Sequence, residues 1–265
     1  MKASLLLFIT LMIGIWLFSC NRNSTGVDPE PDPTKDLHRI ATGELEKTLV
    51  TVYSDASLQT GYCRIYVLLK DRNTGKVLQK ARIQMTPIMD MGEMKHSAPC
   101  ENPQTDYAEN GLFPCGAVFI MSGTWQLEFL LQELENGDAG KVVVPVQVAP
   151  ANRLKQETGS DSAHYFLALV EPRSPKVGIN TFEITIHQQE SMMAFPAVTD
   201  VEVTMEPTMP SMGHGSPNNE HPIHKGKGHY RGKVNFTMSG AWQIALRVSR
   251  NGQLLLQTMF DLQVP

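Results

Sequence analysis

Phe119-Ile120-Met121-Ser122-Gly123-Thr124-Trp125-Gln126-Leu127 recurs further along the chain as Phe236-Thr237-Met238-Ser239-Gly240-Ala241-Trp242-Gln243-Ile244. Other landmarks recur in the same order. Met85-Thr86-Pro87-Ile88-Met89 returns as Met205-Glu206-Pro207-Thr208-Met209, and Val144-Pro145-Val146-Gln147-Val148 pairs with Phe260-Asp261-Leu262-Gln263-Val264. Gly61 opens an apolar alternation running to Leu69, and Gly178 opens a similar one running to Ile186. Self-similarity that keeps its order over this length marks an internal duplication. It divides the chain into domain 1, residues 43–150, and domain 2, residues 161–265, with the polar stretch 152–161 as a linker.

Each copy reads as all-β. Thr181 to Ile186, Val201 to Met205 and Lys233 to Met238 alternate with a period of two, which puts successive side chains on opposite faces of a strand. Ala241 to Ser249 continues the pattern with Trp242, Ile244, Leu246 and Val248 on one face. Asn251-Gly252 is a hairpin turn signal, and Asn73-Thr74-Gly75 and Asn136-Gly137 are turn signals in domain 1. Short strands with Gly and Pro punctuation predict two tandem immunoglobulin-like β-sandwiches, with Trp125 and Trp242 packed between the sheets.

The N-terminus reads as a targeting segment. Lys2 precedes an apolar run, Leu5 to Phe18, that is too short for a confident membrane span. Leu17-Phe18-Ser19-Cys20 resembles the lipobox of bacterial lipoproteins. That resemblance implies a signal peptide over 1–19, cleavage before Cys20, lipidation of its thiol and attachment to a membrane of the cell envelope, with the folded part outside the cytoplasm. Residues 20–42, centred on Asp28-Pro29-Glu30-Pro31-Asp32-Pro33, form a Pro-rich tether. With 23 basic and 27 acidic residues the formal charge is −4, which gives no reason to expect a nucleic-acid partner. Of the other cysteines, Cys63 shares an apolar strand face with Ile65, Val67 and Leu69. Cys100 and Cys115 flank a polar loop and are the favoured disulfide in an oxidising compartment.

The chemically informative segment is Met209-Pro210-Ser211-Met212-Gly213-His214. A polar loop with His221, His224 and His229 follows, and then Met238, so four of the eight histidines fall in one window. Thioether and imidazole donors suit copper, Cu(I) above all, rather than calcium or magnesium. Pro210 and Gly213 favour a turn able to bring Met209, Met212 and His214 around one point. In domain 1, Met89, Met91, Met94 and His96 form a possible second set. Aligning Gly92 with Gly213 puts Glu93 in the place of His214. Met85, Met121, Met205 and Met238 lie in strand context, where core packing is the simpler role. Lys225, Lys227, Arg231 and Lys233 make the histidine loop basic, which disfavours a cation there. His38, His164 and His187 have no cluster around them. No Gly-x-Ser-x-Gly elbow, His-Glu-x-x-His pair or phosphate loop is present, so no enzyme is expected.

Pro207 to His214, Gly228 to Phe236 and Met238 to Trp242 together resemble YtkA-like and FixH-like domains. Domain 1 shares that look at Pro87, Met89, Gly92, Met121, Gly123 and Trp125, and departs from it at the Gly-His element and the Cys-bearing loop. The resemblance implies an envelope immunoglobulin-like sandwich associated with copper handling and cytochrome oxidase assembly. It implies Met209, Met212 and His214 as ligands, with Met238 as a weaker addition. His221, His224 and His229 extend that set from the loop alone. The expected function is a lipid-anchored periplasmic protein that holds copper or passes it to or from another protein. The alternative is a structural or adhesive interaction module.

Overall fold

The computed structural model describes residues 32–265, and among them there is no helix. The sequence duplication is realised as two sandwiches of antiparallel sheets. In the first, one sheet has the order β1 (His38–Glu44), β2 (Thr48–Ser54), β3 (Gly61–Asp71), β7 (Phe113–Phe119), β6 (Cys100–Glu101). Its partner sheet runs β5 (Lys95–Ser97), β4 (Ala81–Asp90), β8 (Gly123–Glu133), β9 (Ala139–Val148). The second sandwich repeats this as β10 (Leu154–Thr158), β11 (His164–Glu171), β12 (Gly178–Gln189), β16 (His229–Phe236), β15 (Glu220–Gly226). Its partner sheet runs β14 (His214–Gly215), β13 (Glu202–Met209), β17 (Gly240–Arg250), β18 (Gln253–Val264). Hairpin-connected strands that change sheets in this order give the immunoglobulin arrangement.

The period-two pattern explains which face of each strand is buried. Trp242, Ile244, Leu246 and Val248 on β17 point inward, as do Trp125, Leu127, Phe129 and Leu131 on β8. Asn251-Gly252, both at positive φ, close the two-residue turn between β17 and β18. Trp125 and Trp242 are fully buried, and each indole Nε1 donates at 3.0 Å to the carbonyl four residues upstream, Met121 and Met238 respectively. A buried indole N–H without an acceptor would be costly, so these bonds let the largest core side chains sit between the sheets.

Two boundaries differ from the sequence expectation. β1 begins at His38, inside the stretch read as tether, and pairs with β2 from Ser54 downward. The polar segment 152–161 is not a free linker, because Leu154–Thr158 pairs with β11 as an edge strand of the second sandwich. Edge strands tolerate polar residues on both faces, which is why this one did not read as a strand. The stretch 1–19 expected as a signal peptide and the lipidation expected at Cys20 lie outside the described residues.

The expected Cys100–Cys115 disulfide is not formed, whereas Cys63 is buried on its strand face. Cys63, Cys100 and Cys115 are all free thiols. Cys100 is opposite Ala117, and Cys115 is opposite Ile65. Cys100 and Cys115 are therefore diagonal neighbours on one face, where Cα atoms are roughly 7–8 Å apart, beyond the usual ~4.4–6.8 Å span of a disulfide. Cys100 Sγ instead donates to the Met85 carbonyl at 3.4 Å. Burial pushes its thiol up to about 11 and raises that of Cys115 as well, which makes both poor nucleophiles.

A second buried layer joins the sandwiches. On β11 the outward residues Phe166, Ala168 and Val170 are buried, and so are Glu183, Thr185 and His187 on β12. Strand β3 of the first sandwich packs on β11. Across this junction Arg64 pairs with Glu171 at 2.9 Å, and Arg173 pairs with Asp55 at 2.6 Å. At its centre His229 donates from Nδ1 to Glu183 and from Nε2 to Glu101, both at 2.7 Å, with Tyr62 edge-on to its ring. Arg231 adds two bonds to Glu183, and Lys227 lies 3.7 Å from Glu101. Burial alone would lower the pKa of His229, but the two carboxylates outweigh it and hold the group up at about 9. Burial pushes His187 down to about 4. Burial would raise Glu101 and Glu183, yet bonding to His229 leaves both lowered.

These shifts set a pH profile. The stabilisation from His229 is complete below its ordinary value of 6.5 and is lost as pH rises through about 9. His187 is depressed, so its contribution falls away as pH drops from 6.5 toward 4, and the two carboxylates add to that acid loss below 4.5. Thermal stability should therefore peak near neutrality. His229→Gln should be less stable at pH 7 by about 1–3 kcal/mol, and its melting temperature should lose the decline between neutral and alkaline pH. An unaltered alkaline limb in that variant would contradict this assignment.

Candidate metal centre

β13 ends at Met209, and Pro210 cannot continue the ladder because it has no N–H. The chain reverses at once. Met212 N and Gly213 N donate to the Met209 carbonyl at 3.1 and 3.0 Å, and Gly213 takes φ +67 with nothing around it. The return strand β14 sets His214 opposite Met209. The Met209 side chain points inward, only 3% exposed, with Cε against Gly240. Met212 sits at the hairpin tip and is 60% exposed. The His214 ring lies edge-on to Trp242, centroids 6.1 Å apart. Met238, 38% exposed, is tied to the same tryptophan through its carbonyl. A shallow pocket lined by Pro210, Ser211, Trp242, Gln243 and Asp261 opens beside this corner.

His214 Nδ1 is 2.9 Å from the Gly215 carbonyl. A carbonyl only accepts, so Nδ1 carries the proton and Nε2 of the neutral ring keeps the lone pair. Metal-binding histidines are commonly oriented by such a bond from the non-ligating nitrogen.

The three remaining histidines of the window are drawn elsewhere. β15 pairs with β16, in the sheet opposite β13 and β14. His221 Nδ1 accepts from Met205 N at 3.2 Å, four strand positions before Met209 and so about 13 Å along β13. His224 lies against the Tyr230 ring. His229 has both nitrogens engaged by carboxylates in the junction between sandwiches. Their crowding in sequence is thus not crowding in space.

Domain 1 builds the same corner with a longer hairpin. Met89 is opposite His96, with residues 90–95 between them in place of 210–213. The structural counterpart of His214 is therefore His96 and not Glu93, which lies in the turn between Met91 and Met94. Met91 and Met94 are exposed at the tip, closed by Met91 N donating to the Met94 carbonyl and by a Lys95–Asp90 ion pair at 2.8 Å. Among the described residues no group of three or more His, Cys, Asp or Glu is placed to hold a metal ion. Sequence reasoning missed the His229–Glu101–Glu183 cluster and buried His187. Glu183, Thr185 and His187 alternate with apolar residues and so look like an ordinary solvent face.

Fold and corner together describe a tandem immunoglobulin-type protein with a methionine–histidine hairpin beside each core tryptophan. Residues 160–247 match the family model described as YtkA-like, so the second sandwich is a YtkA-like domain. No curated protein matches the chain. Among solved structures, the Escherichia coli adhesin FdeC is 16% identical, covering 84% of this chain and 65% of that one, with a TM-score of 0.27. The Yersinia pseudotuberculosis adhesin InvE is 10% identical, covering 84% and 60%, with a TM-score of 0.25. Domains 5-6 of the S-layer protein SbsC are 12% identical, covering 84% and 99%, with a TM-score of 0.28. The chain thus spans less than two thirds of either adhesin.

Gly240 has φ +133, and a Cβ there would come 3.0 Å from Met209 Cε. Gly240→Ala should destabilise the protein by about 1–3 kcal/mol in urea unfolding. Gly213→Asn, at φ +67 in open space, should cost less than about 1 kcal/mol, since Asn tolerates the left-handed region.

Proposed function

We propose that the protein is a lipid-anchored envelope protein that binds Cu(I) as cargo at the Met209–His214 hairpin and passes it to or from a partner protein. The observation that carries this reading is the hairpin itself. It sets the imidazole of His214 opposite Met209 and Met212 at its tip, with Nδ1 of His214 already committed to the Gly215 carbonyl, while the Met238 carbonyl holds the tryptophan that His214 lies against. Such a donor set fits a soft monovalent cation and not a hard one. Exposed Met212 and Met238 would meet the ion first, His214 Nε2 would hold it, and buried Met209 would set the depth of the corner. A partner needs access to exchange cargo, and the exposed tip provides it.

The test is an anaerobic Cu(I) competition titration on the protein lacking residues 1–20, beside the His214→Ala, Met212→Ala variant. The expected result is tight binding that falls by at least one equivalent in the variant. Binding no tighter than that of an unrelated methionine-containing protein would refute the proposal and leave a tethered interaction module. The lipid anchor has its own test. Cys20→Ala should move the protein from the membrane fraction to the soluble envelope fraction, because a lipidated Cys20 would be the attachment.

A further inference from the structure

We infer that the first sandwich holds a second soft-cation site, formed by Met89, His96 and Met121 beside Trp125, which exchanges Cu(I) more slowly than the hairpin of the second sandwich. This rests on the proposed copper reading and extends it to a part of the chain outside the family match.

The two corners agree contact by contact. Met89 faces His96 across β4 and β5, as Met209 faces His214 across β13 and β14. His96 Nδ1 lies 3.0 Å from the Ser97 carbonyl, as His214 Nδ1 does from that of Gly215, so both rings keep the lone pair on Nε2. His96 is edge-on to Trp125 at 5.1 Å, as His214 is to Trp242. Trp125 is tied to the Met121 carbonyl as Trp242 is to that of Met238. Met89 Cε rests on Gly123 at φ +128, as Met209 Cε rests on Gly240. The hairpin lengths differ and the following loops differ, one bearing cysteines and the other histidines. The inner methionine, the histidine and the tryptophan nevertheless keep their mutual placement, and the backbone of Met121 or Met238 keeps its bond to the indole. Packing alone would require a residue of suitable volume next to Trp125. It would not require an imidazole with its tautomer set in the same way.

Access separates the two. His96 is 3% exposed, whereas His214 is partly open. The edge of β5 beside His96 is covered by the second sandwich, with Ser97 N donating to the Met192 carbonyl at 2.8 Å. Exposed Met91 and Met94 stand at the tip of this hairpin, where an incoming ion would first meet sulfur. The approach to His96 is therefore narrower than the approach to His214.

The experiment uses the protein lacking residues 1–20, labelled with [13C]methyl-methionine, and Ag(I) as a redox-inert probe, in wild type and in the His214→Ala, Met212→Ala variant. Two equivalents in the wild type and one in the variant are expected. In the variant the methyl signals of Met89 and Met121 should shift, with Met121 assigned through Met121→Leu. Release of Cu(I) to a chelator from the variant should be at least about tenfold slower than the fast phase of the wild type, equivalent to about 1.4 kcal/mol more barrier. One equivalent in the wild type, none in the variant and unmoved Met89 and Met121 signals would overturn this inference while leaving the second-sandwich site standing. No binding by either protein would overturn both. Two equivalents released at equal rates would overturn the slow-exchange assignment.

Discussion

In each sandwich the structure is organised around an indole hydrogen bond. Trp125 and Trp242 fill the space between the sheets, and each is held by one bond to a carbonyl four residues upstream. That bond fixes the short connection entering β8 or β17, where Gly123 and Gly240 adopt φ values that other residues rarely take. The glycine in turn gives the Met89 or Met209 side chain room to fold inward. The histidine of the adjoining hairpin then lies against the indole edge. Core packing and the candidate metal corner are thus the same piece of structure, and a change to the tryptophan would disturb both.

The junction between the sandwiches follows a different logic. It combines the buried apolar residues of β11 with ion pairs and one doubly bonded imidazolium. Buried charges of this kind contribute little net stability unless every partner is in place. They do impose a unique arrangement, because sliding the sandwiches would take Glu101 away from His229, whereas Glu183 keeps its partners His229 and Arg231 within its own sheet. The second sandwich thereby places its Met192 carbonyl on the edge of the first, and the covering of the His96 hairpin depends on this junction.

Burial divides the methionines in a way their density in sequence conceals. Met85, Met89, Met205 and Met209 are packed in cores, whereas Met91, Met94, Met121, Met212 and Met238 are exposed on turns. Met121 and Met238 in particular precede their strands instead of lying within them. Their backbones are held while their thioethers reach solvent, an arrangement suited to meeting a ligand.

The sequence by itself determined the duplication, the all-β class and the inward face of β17, because these follow from repeat order and a two-residue period that any strand must obey. Much of the hairpin at Met209 was legible too, since Pro210 and Gly213 act locally on the backbone. Tertiary structure alone decided what depends on pairing between distant strands. It matched His96 with His214, because cross-strand register and not loop alignment sets equivalence. It sent His221, His224 and His229 away from the hairpin, because β15 joins the opposite sheet. It left Cys100 and Cys115 two rungs apart. It also buried Glu183 and His187, because a solvent face and a face covered by a second domain have the same alternation in sequence.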